Sequence, residues 1–366
     1  MIVLKCLCAL WGLVILVFVF FGIYNKVQFS RASARMRELG LYNPVSVGDH
    51  SLNVNRVGNP DGDHKIVVLS GWGDGTLAVS WHYFTEPLEE NNEIIFIDRP
   101  GYGLSDDTDE FVTLEWMVNE YRTALQNAGI EGPYVLLAHS IGGLYTTYWE
   151  STYPDEVEAA IIMDGTDPLA EITPPATIGD KLYRKFFPYL ERLICMSGMN
   201  RISGTGYEEF FTGFSEENAR LSVEMLIRTG LTKSPINEIA RYIDQTQPKA
   251  TWDCIVPNDI PKMYICSTFS FTTKEELINA GFNYEISTIM TKTEIAQIKE
   301  DTGLSEDDYY DFVLAWAKKN YDKSIVPYVE KLGNCRLVNL PGDHVIFLDR
   351  PQETQALILD FLAELD

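Results

Sequence analysis

Positive charge is in short supply along this chain: 29 Lys and Arg stand against 53 Asp and Glu in 366 residues, a formal net charge of −24 at pH 7. Affinity for nucleic acid comes largely from cations that neutralise phosphates, so the deficit disfavours a nucleic-acid partner. Cysteine is sparse and poorly spaced for a site. Of the six cysteines, Cys6 and Cys8 fall in an apolar N-terminal run, and Cys195, Cys254, Cys266 and Cys335 lie far apart with no C-x-x-C pair. That spacing fits neither a disulfide framework nor a zinc pattern. No metal or organic cofactor is implied. Internal repeats, low-complexity tracts and long runs of one charge sign are missing too, which excludes solenoids and disordered arrays. Histidine numbers only five, so few side chains can act as a base near neutral pH.

What is present is enough for a large core, since 46% of residues are hydrophobic and 12% aromatic. One large domain with insertions fits that content. The N-terminus stands apart. Residues 6–24, "CLCALWGLVILVFVFFGIY", carry no charge and are about as long as a helix needs to cross hydrocarbon. A cleaved signal would have an apolar core of roughly 7–15 residues with a small-x-small site close behind. The nearest such site, Ala32-Ser33-Ala34, lies well past the run among Arg31, Arg35 and Arg37. Residues 1–37 are therefore expected to form an uncleaved single-span membrane anchor with a basic flank. Lys26, Arg31, Arg35 and Arg37 outnumber Lys5 and the terminal amine, a bias towards a cytoplasmic domain. The side of the membrane stays open on so short an N-terminal segment.

After the anchor, from residue 38, a hairpin opens the domain, and strand and helix patterns alternate from residue 65 onward. "PVSVG" and "LNVNRVG" predict a hairpin, and "KIVVLSGWG" (65–73), "NEIIFIDRPGYG" (92–103), "PYVLLAH", "VEAAIIMDG" (157–165), "IPKMYICS" (260–267) and "CRLVNLPGDH" (335–344) predict further strands. Runs that are apolar on both faces belong to parallel sheets covered by helices. Helices are expected near 79–90, over 113–129 with Thr113 as N-cap, after Ser140, and through "PQETQALILDFLAEL". The fold class is thus α/β, a doubly wound, mostly parallel sheet with an antiparallel start. Two stretches interrupt it. A helical cap is expected over about 166–258, with aromatics at Tyr183, Phe186, Phe187, Phe210 and Phe211, and a second helical insert over about 268–320.

In such sheets ligands bind beyond the carboxyl ends of the strands. Ser140 follows "PYVLLAH" and precedes "IGG", a strand-turn-helix context able to expose a serine hydroxyl. A serine hydroxyl needs a base, and the base an orienting acid. Among the histidines, His50 follows a hairpin strand, His64 precedes the strand at 65, His82 falls in an expected helix, and the turn is expected to aim His139, next to Ser140, elsewhere. His344 follows the last strand and is the candidate base. The acid usually follows the next-to-last strand, but "ICSTFSFTTKEE" offers no carboxylate before Glu275. Asp164, directly after "AAIIM", is the favoured acid, with Asp167 and Glu275 as rivals. Oxyanion donors are expected from the backbone amides of Ile141, just after the serine, and Trp72, in the glycine-rich "LSGWGDG" loop.

Together "SGWGDG", "IDRPGYGLSD", "LLAHSIGGLYTTYW", "YPDEVEAAIIMDG" and "LPGDHVIFLDRPQE" resemble the α/β-hydrolase fold superfamily, in the branch with a helical cap, over residues of roughly 45–366. The resemblance implies a Ser140, Asp164, His344 triad, with Trp72 and Ile141 forming the oxyanion hole. Three positions depart from the family pattern. Ala138 replaces the first glycine of the elbow, Ser70 stands where many members carry His, and the acid comes one strand early, as in some members. Ser at position 140 speaks against the haloalkane dehalogenase and epoxide hydrolase branches, which use Asp. The implied activity is cleavage of an ester or amide in an apolar small molecule, in the manner of a carboxylesterase or lipase. An aminopeptidase of the proline iminopeptidase type and a non-catalytic ligand-binding protein are the alternatives.

Overall fold

The computed structural model describes residues 2–169, 178–202, 211, 213–280 and 292–365. Eight strands form one sheet: β1 (Pro44–Ser46), β2 (Ser51–Gly58), β3 (His64–Leu69), β4 (Asn92–Asp98), β5 (Tyr134–His139), β6 (Val157–Met163), β7 (Asn258–Cys266) and β8 (Gly333–Asn339). Their spatial order is β1-β2-β4-β3-β5-β6-β7-β8. β2 pairs antiparallel with both β1 and β4, and every other pairing is parallel. β4 and β5 are buried along their whole length. Helices cover both faces of the sheet, so these strands need apolar residues at successive positions and not only at alternate ones.

Side chains of β5 divide between two cores, as the two-residue period of a strand requires. Leu136 and Ala138 meet Tyr121, Leu125, Leu144 and Trp149, while Val135 and Leu137 meet Trp81, Phe84, Phe347 and Ile358 on the other face. Of the helices, α1 (Ile2–Glu38) precedes the sheet, and α2 (Leu114–Asn127) and α3 (Gly142–Thr152) flank β5. The Thr113 hydroxyl accepts from the Trp116 N–H at 3.0 Å, so α2 begins at the expected N-cap. The helix expected near 79–90 is instead two single turns, Leu77–Ser80 and His82–Thr85, followed by a 3₁₀ turn at Glu86–Leu88. Pro87 lies at the start of that last turn, where its ring and missing N–H stop the second turn from continuing as α-helix.

Between β6 and β7 the described chain is helical: α4 (Ile178–Ser197), α5 (Glu216–Thr229), α6 (Lys233–Ile243) and α7 (Thr246–Cys254) are its longer helices. Phe186 is exposed and Phe211 packs on Phe214, whereas Phe210 and the side chains of Tyr183 and Phe187 lie outside the described residues. Between β7 and β8 come α8 (Lys274–Asn279), α9 (Lys292–Thr302), α10 (Tyr309–Asn320) and α11 (Val326–Leu332), with a small core around Phe271, Leu277, Phe312 and Val313. α12 (Pro351–Leu362) ends the fold.

α1 is the one described helix long and apolar enough to cross a membrane. Over residues 6–24 its large apolar side chains are mostly exposed, and its last third packs along one face only. Ala32 and Met36 pack with Val79, Leu221 and Met225, and Arg35 Nε holds Glu217 of α5 at 2.6 Å. The helix therefore docks directly on the segment inserted after β6.

Candidate active site

The chain leaves β3 to build β4 on one side and later returns to build β5 on the other. Such a reversal opens a crevice at the carboxyl ends of the strands. Ser140 stands there, immediately after β5. Its φ is +53°, a left-handed conformation uncommon for a residue with a Cβ. The bend is held by its own backbone: the Ser140 carbonyl accepts from Gly143 N–H at 2.9 Å and Thr166 N–H at 2.8 Å. A Cβ at Gly142 would overlap the Leu69 carbonyl oxygen, so glycine is what allows α3 to begin so close to β3. Ala138, completely buried, fills the position before the bend with a single methyl group.

His344 lies in the loop after β8 and brings Nε2 to 3.0 Å from Ser140 Oγ. Its other nitrogen, Nδ1, lies 2.7 Å from Asp164 Oδ2. Asp164, at the end of β6, also has a positive φ, +40°. Its carboxylate accepts from the amides of Ser267 at 2.8 Å and Thr268 at 3.1 Å, and from the Thr268 hydroxyl at 2.6 Å. The end of β7, which lacks a carboxylate, thus supplies the donors that hold the carboxylate of its neighbour. Burial alone would push the Asp164 carboxyl up, but the His344 hydrogen bond and these donors bring it below the usual carboxylate range. Burial pulls His344 down, and the hydrogen bond and charge of Asp164 outweigh it, leaving the imidazole above its ordinary value. The ring is enclosed along its Asp164 edge, yet 49% of the side-chain surface remains open.

The rivals for the acid are elsewhere. Asp167 turns back on its own chain, accepting from Leu169 N–H at 2.7 Å. Glu275 is exposed in the first turn of α8. His50 and His64 contact Glu120 and Glu158, and His82 contacts Glu89.

His139, as expected, is aimed elsewhere than at Ser140: its Nε2 donates to the His344 carbonyl at 2.8 Å, and the two rings are 4.8 Å apart. Burial, reinforced by the neighbouring His344, drives its pKa down to about 3, so it stays neutral at physiological pH. The loop carrying His344 has a second fastening, from the Ser267 hydroxyl to the Asp343 carbonyl at 3.0 Å.

The loop after β3 passes beside Ser140 so closely that a Cβ on Gly71 would sit 3.2 Å from the Ser140 Cβ. Arg99, just beyond β4, grips this loop. Its guanidinium donates to the Ser70 carbonyl at 2.7 Å, the Ser70 hydroxyl at 3.1 Å and the Gly71 carbonyl at 2.8 Å. The Gly71 carbonyl and the Trp72 N–H belong to one planar trans peptide, so fixing the first fixes the direction of the second. Arg99 is paired in turn with Glu238 of α6, 3.0 Å from Nε, both side chains 1% exposed. Tyr145 donates to the same carboxylate at 2.6 Å, as does Tyr102. Ile141 heads α3, with φ −59° and ψ −24°, so its amide lies at the positive end of the helix. Sequence reasoning missed Arg99 and Glu238; "DRPGYG" was legible as a turn, but nothing local marks its Arg as the partner of a residue 139 positions away.

Among the described residues no group of three or more His, Cys, Asp or Glu could hold a metal ion. What the sheet and its carboxyl-end crevice define is the α/β-hydrolase fold. The chain belongs to the alpha/beta hydrolase family, whose family model matches residues 66–356. It is 32% identical over 156 residues to the uncharacterized protein YbdG of Bacillus subtilis, a match covering 43% of this chain and 47% of that protein. The chain thus spans less than half the length of that curated relative. The epoxide hydrolase CorEH superposes with a TM-score of 0.57 at 16% identity, over 89% of this chain and 99% of that one. A thermophilic esterase from Thermogutta terrifontis superposes with a TM-score of 0.53 at 14% identity, over 88% and 98%. At such identities the structures show a shared fold alone.

Proposed function

We propose that this chain is a membrane-anchored serine hydrolase that cleaves carboxylic esters through an acyl-enzyme. The observation that carries the reading is the unbroken relay from Asp164 through His344 to Ser140, with contacts of 2.7 and 3.0 Å. Ser140 Oγ attacks the substrate carbonyl carbon while its proton passes to His344 Nε2. Asp164 holds the ring through Nδ1 and stabilises the imidazolium that results. The amides of Trp72 and Ile141 receive the negative charge that develops on the carbonyl oxygen. As the tetrahedral intermediate collapses, the C–O bond to the leaving alcohol breaks and His344 returns the proton to it. Water then gives a proton to His344 and attacks the acyl carbon, and Ser140 departs with its hydroxyl restored. In this reading residues 38–366 form the hydrolase domain, with a cap over about 166–258 and a second insert over about 268–320, and residues 1–37 are the anchor.

A serine at position 140 sets the chain apart from the epoxide hydrolases it superposes on, because that branch of the fold uses an aspartate there. The test is hydrolysis of p-nitrophenyl esters of increasing chain length alongside aminoacyl amides. Ser140→Ala should lower kcat on the preferred ester by about a millionfold with little change in KM. Equal rates for Ser140→Ala and the parent would remove the serine mechanism, and a preference for aminoacyl amides would move the activity to an aminopeptidase.

A further inference from the structure

We propose that α4 lies on the bilayer surface beside the anchor and that the substrate class is an ester dissolved in the membrane. The inference rests on the serine-hydrolase and anchor readings and adds the phase in which the substrate is met. Leu182, Tyr189, Leu190, Leu193 and Met196 of α4 are exposed by 50, 61, 47, 50 and 40%. Their spacing, at about 100° per residue, places all of them within an arc of roughly 120° on one side of the helix. A stripe of large apolar side chains facing water is costly for a surface helix and marks an interaction surface.

Charge indicates which surface. In a chain of net charge −24, the α4 sequence carries Lys181, Arg184, Lys185 and Arg192 against only Asp180 and Glu191. A basic amphipathic helix with Leu and Tyr on its apolar face is the form that lies in the headgroup region of an anionic bilayer. Position supports the same occupant. The C-terminal end of α4 meets α1 where the uncharged run ends: Asn25 Nδ2 donates to the Cys195 carbonyl at 3.1 Å, and Gly198 packs against the Phe21 ring. If residues 6–24 cross the hydrocarbon, this junction is at the interface, and the apolar stripe of α4 continues the apolar surface of the span. Next to the junction is a cavity of about 300 Å³ whose apolar walls include Phe18, Phe29, Met196 and Ile227. α4 belongs to the same inserted segment as Glu238, so docking would hold the proposed cap, and the site it adjoins, at the lipid boundary.

The experiment uses the full chain in nanodiscs of phosphatidylcholine with and without phosphatidylserine, one chain per disc. Activity is measured on p-nitrophenyl acetate, which is water-soluble, and on a long-chain diacylglycerol dissolved in the bilayer. The triple variant Leu182→Glu, Leu190→Glu, Leu193→Glu should keep the acetate rate within about twofold and lose at least about tenfold on the bilayer ester. An environment-sensitive fluorophore on Leu190→Cys should shift to the blue on adding phosphatidylserine. Unchanged action of the triple variant on the bilayer ester, equal losses on both substrates, or no blue shift would overturn docking. A shift appearing only in discs that carry two chains would assign the face to a second copy and overturn it too. The fluorophore reads docking without catalysis, so parent chain inactive on both esters but blue-shifted would defeat the hydrolase reading and leave bilayer contact standing.

Discussion

His344 can accept a proton from Ser140 only while its imidazole is neutral, and its pKa lies above the ordinary value of about 6.5 because Asp164 favours the charged ring. Acidification therefore protonates the base early, and the acid limb of the kcat/KM profile should fall above that value. Asp164→Asn removes the charge and replaces one carboxylate oxygen by an N–H donor, leaving burial to pull the imidazole down. The limb should move to lower pH while kcat drops by about ten-thousandfold. Glu275→Gln, an exposed change, should alter neither. If Glu275→Gln reproduces the loss and Asp164→Asn does not, the acid is misassigned. His139 has a subtler task. Its Nε2–H tethers the His344 carbonyl, a bond that Gln can imitate and Phe cannot. His139→Phe should cost about tenfold in kcat, the value of one buried hydrogen bond, and His139→Gln should recover most of it. Equal kcat for the two variants would show that His139 only fills space.

At the scale of the elements, the loop after β3, the end of β4 and α6 meet at one buried ion pair. Arg99 fixes the Gly71 carbonyl, and Glu238, itself held by two tyrosine hydroxyls, fixes Arg99. Breaking such a pair costs about 3–5 kcal/mol because it leaves a buried charge uncompensated, so Glu238→Gln alone would mix stability with catalysis. Tyr145→Phe keeps the ion pair and removes one hydroxyl. Its kcat should fall by about three- to tenfold at unchanged KM, measured well below the melting temperature. A lower melting temperature with kcat unchanged would limit the cluster to holding α6 in place. These elements were unequally legible. Apolar runs closed by glycine turns announced each strand, and Ser140, Asp164 and His344 all stand at strand ends, where position in sequence implies position at the crevice. Arg99, Glu238 and His139 were not legible, because their roles depend on partners that only the tertiary fold brings near. The helix expected near 79–90 does not continue past Thr85 as α-helix, because helical periodicity does not register Pro87.

For the whole molecule, the alternation of strands and helices from residue 65 onward made the sheet legible, and Ser140, Asp164 and His344 follow β5, β6 and β8 in that order. The inserts were legible as helical by periodicity, but their packing against α1 was not, since nothing in residues 25–36 announces a partner near residue 217. The central claim is that Ser140 is a nucleophile activated by its surroundings, and covalent capture tests it without knowledge of the natural substrate. The full chain in detergent micelles is treated with a fluorophosphonate and digested, and the modified peptide is located by mass spectrometry. The expected result is a single adduct on Ser140, absent in Ser140→Ala and formed far more slowly in His344→Ala. No adduct at high probe concentration, while a control serine hydrolase labels fully, would contradict the account and leave a ligand-binding protein of the same fold.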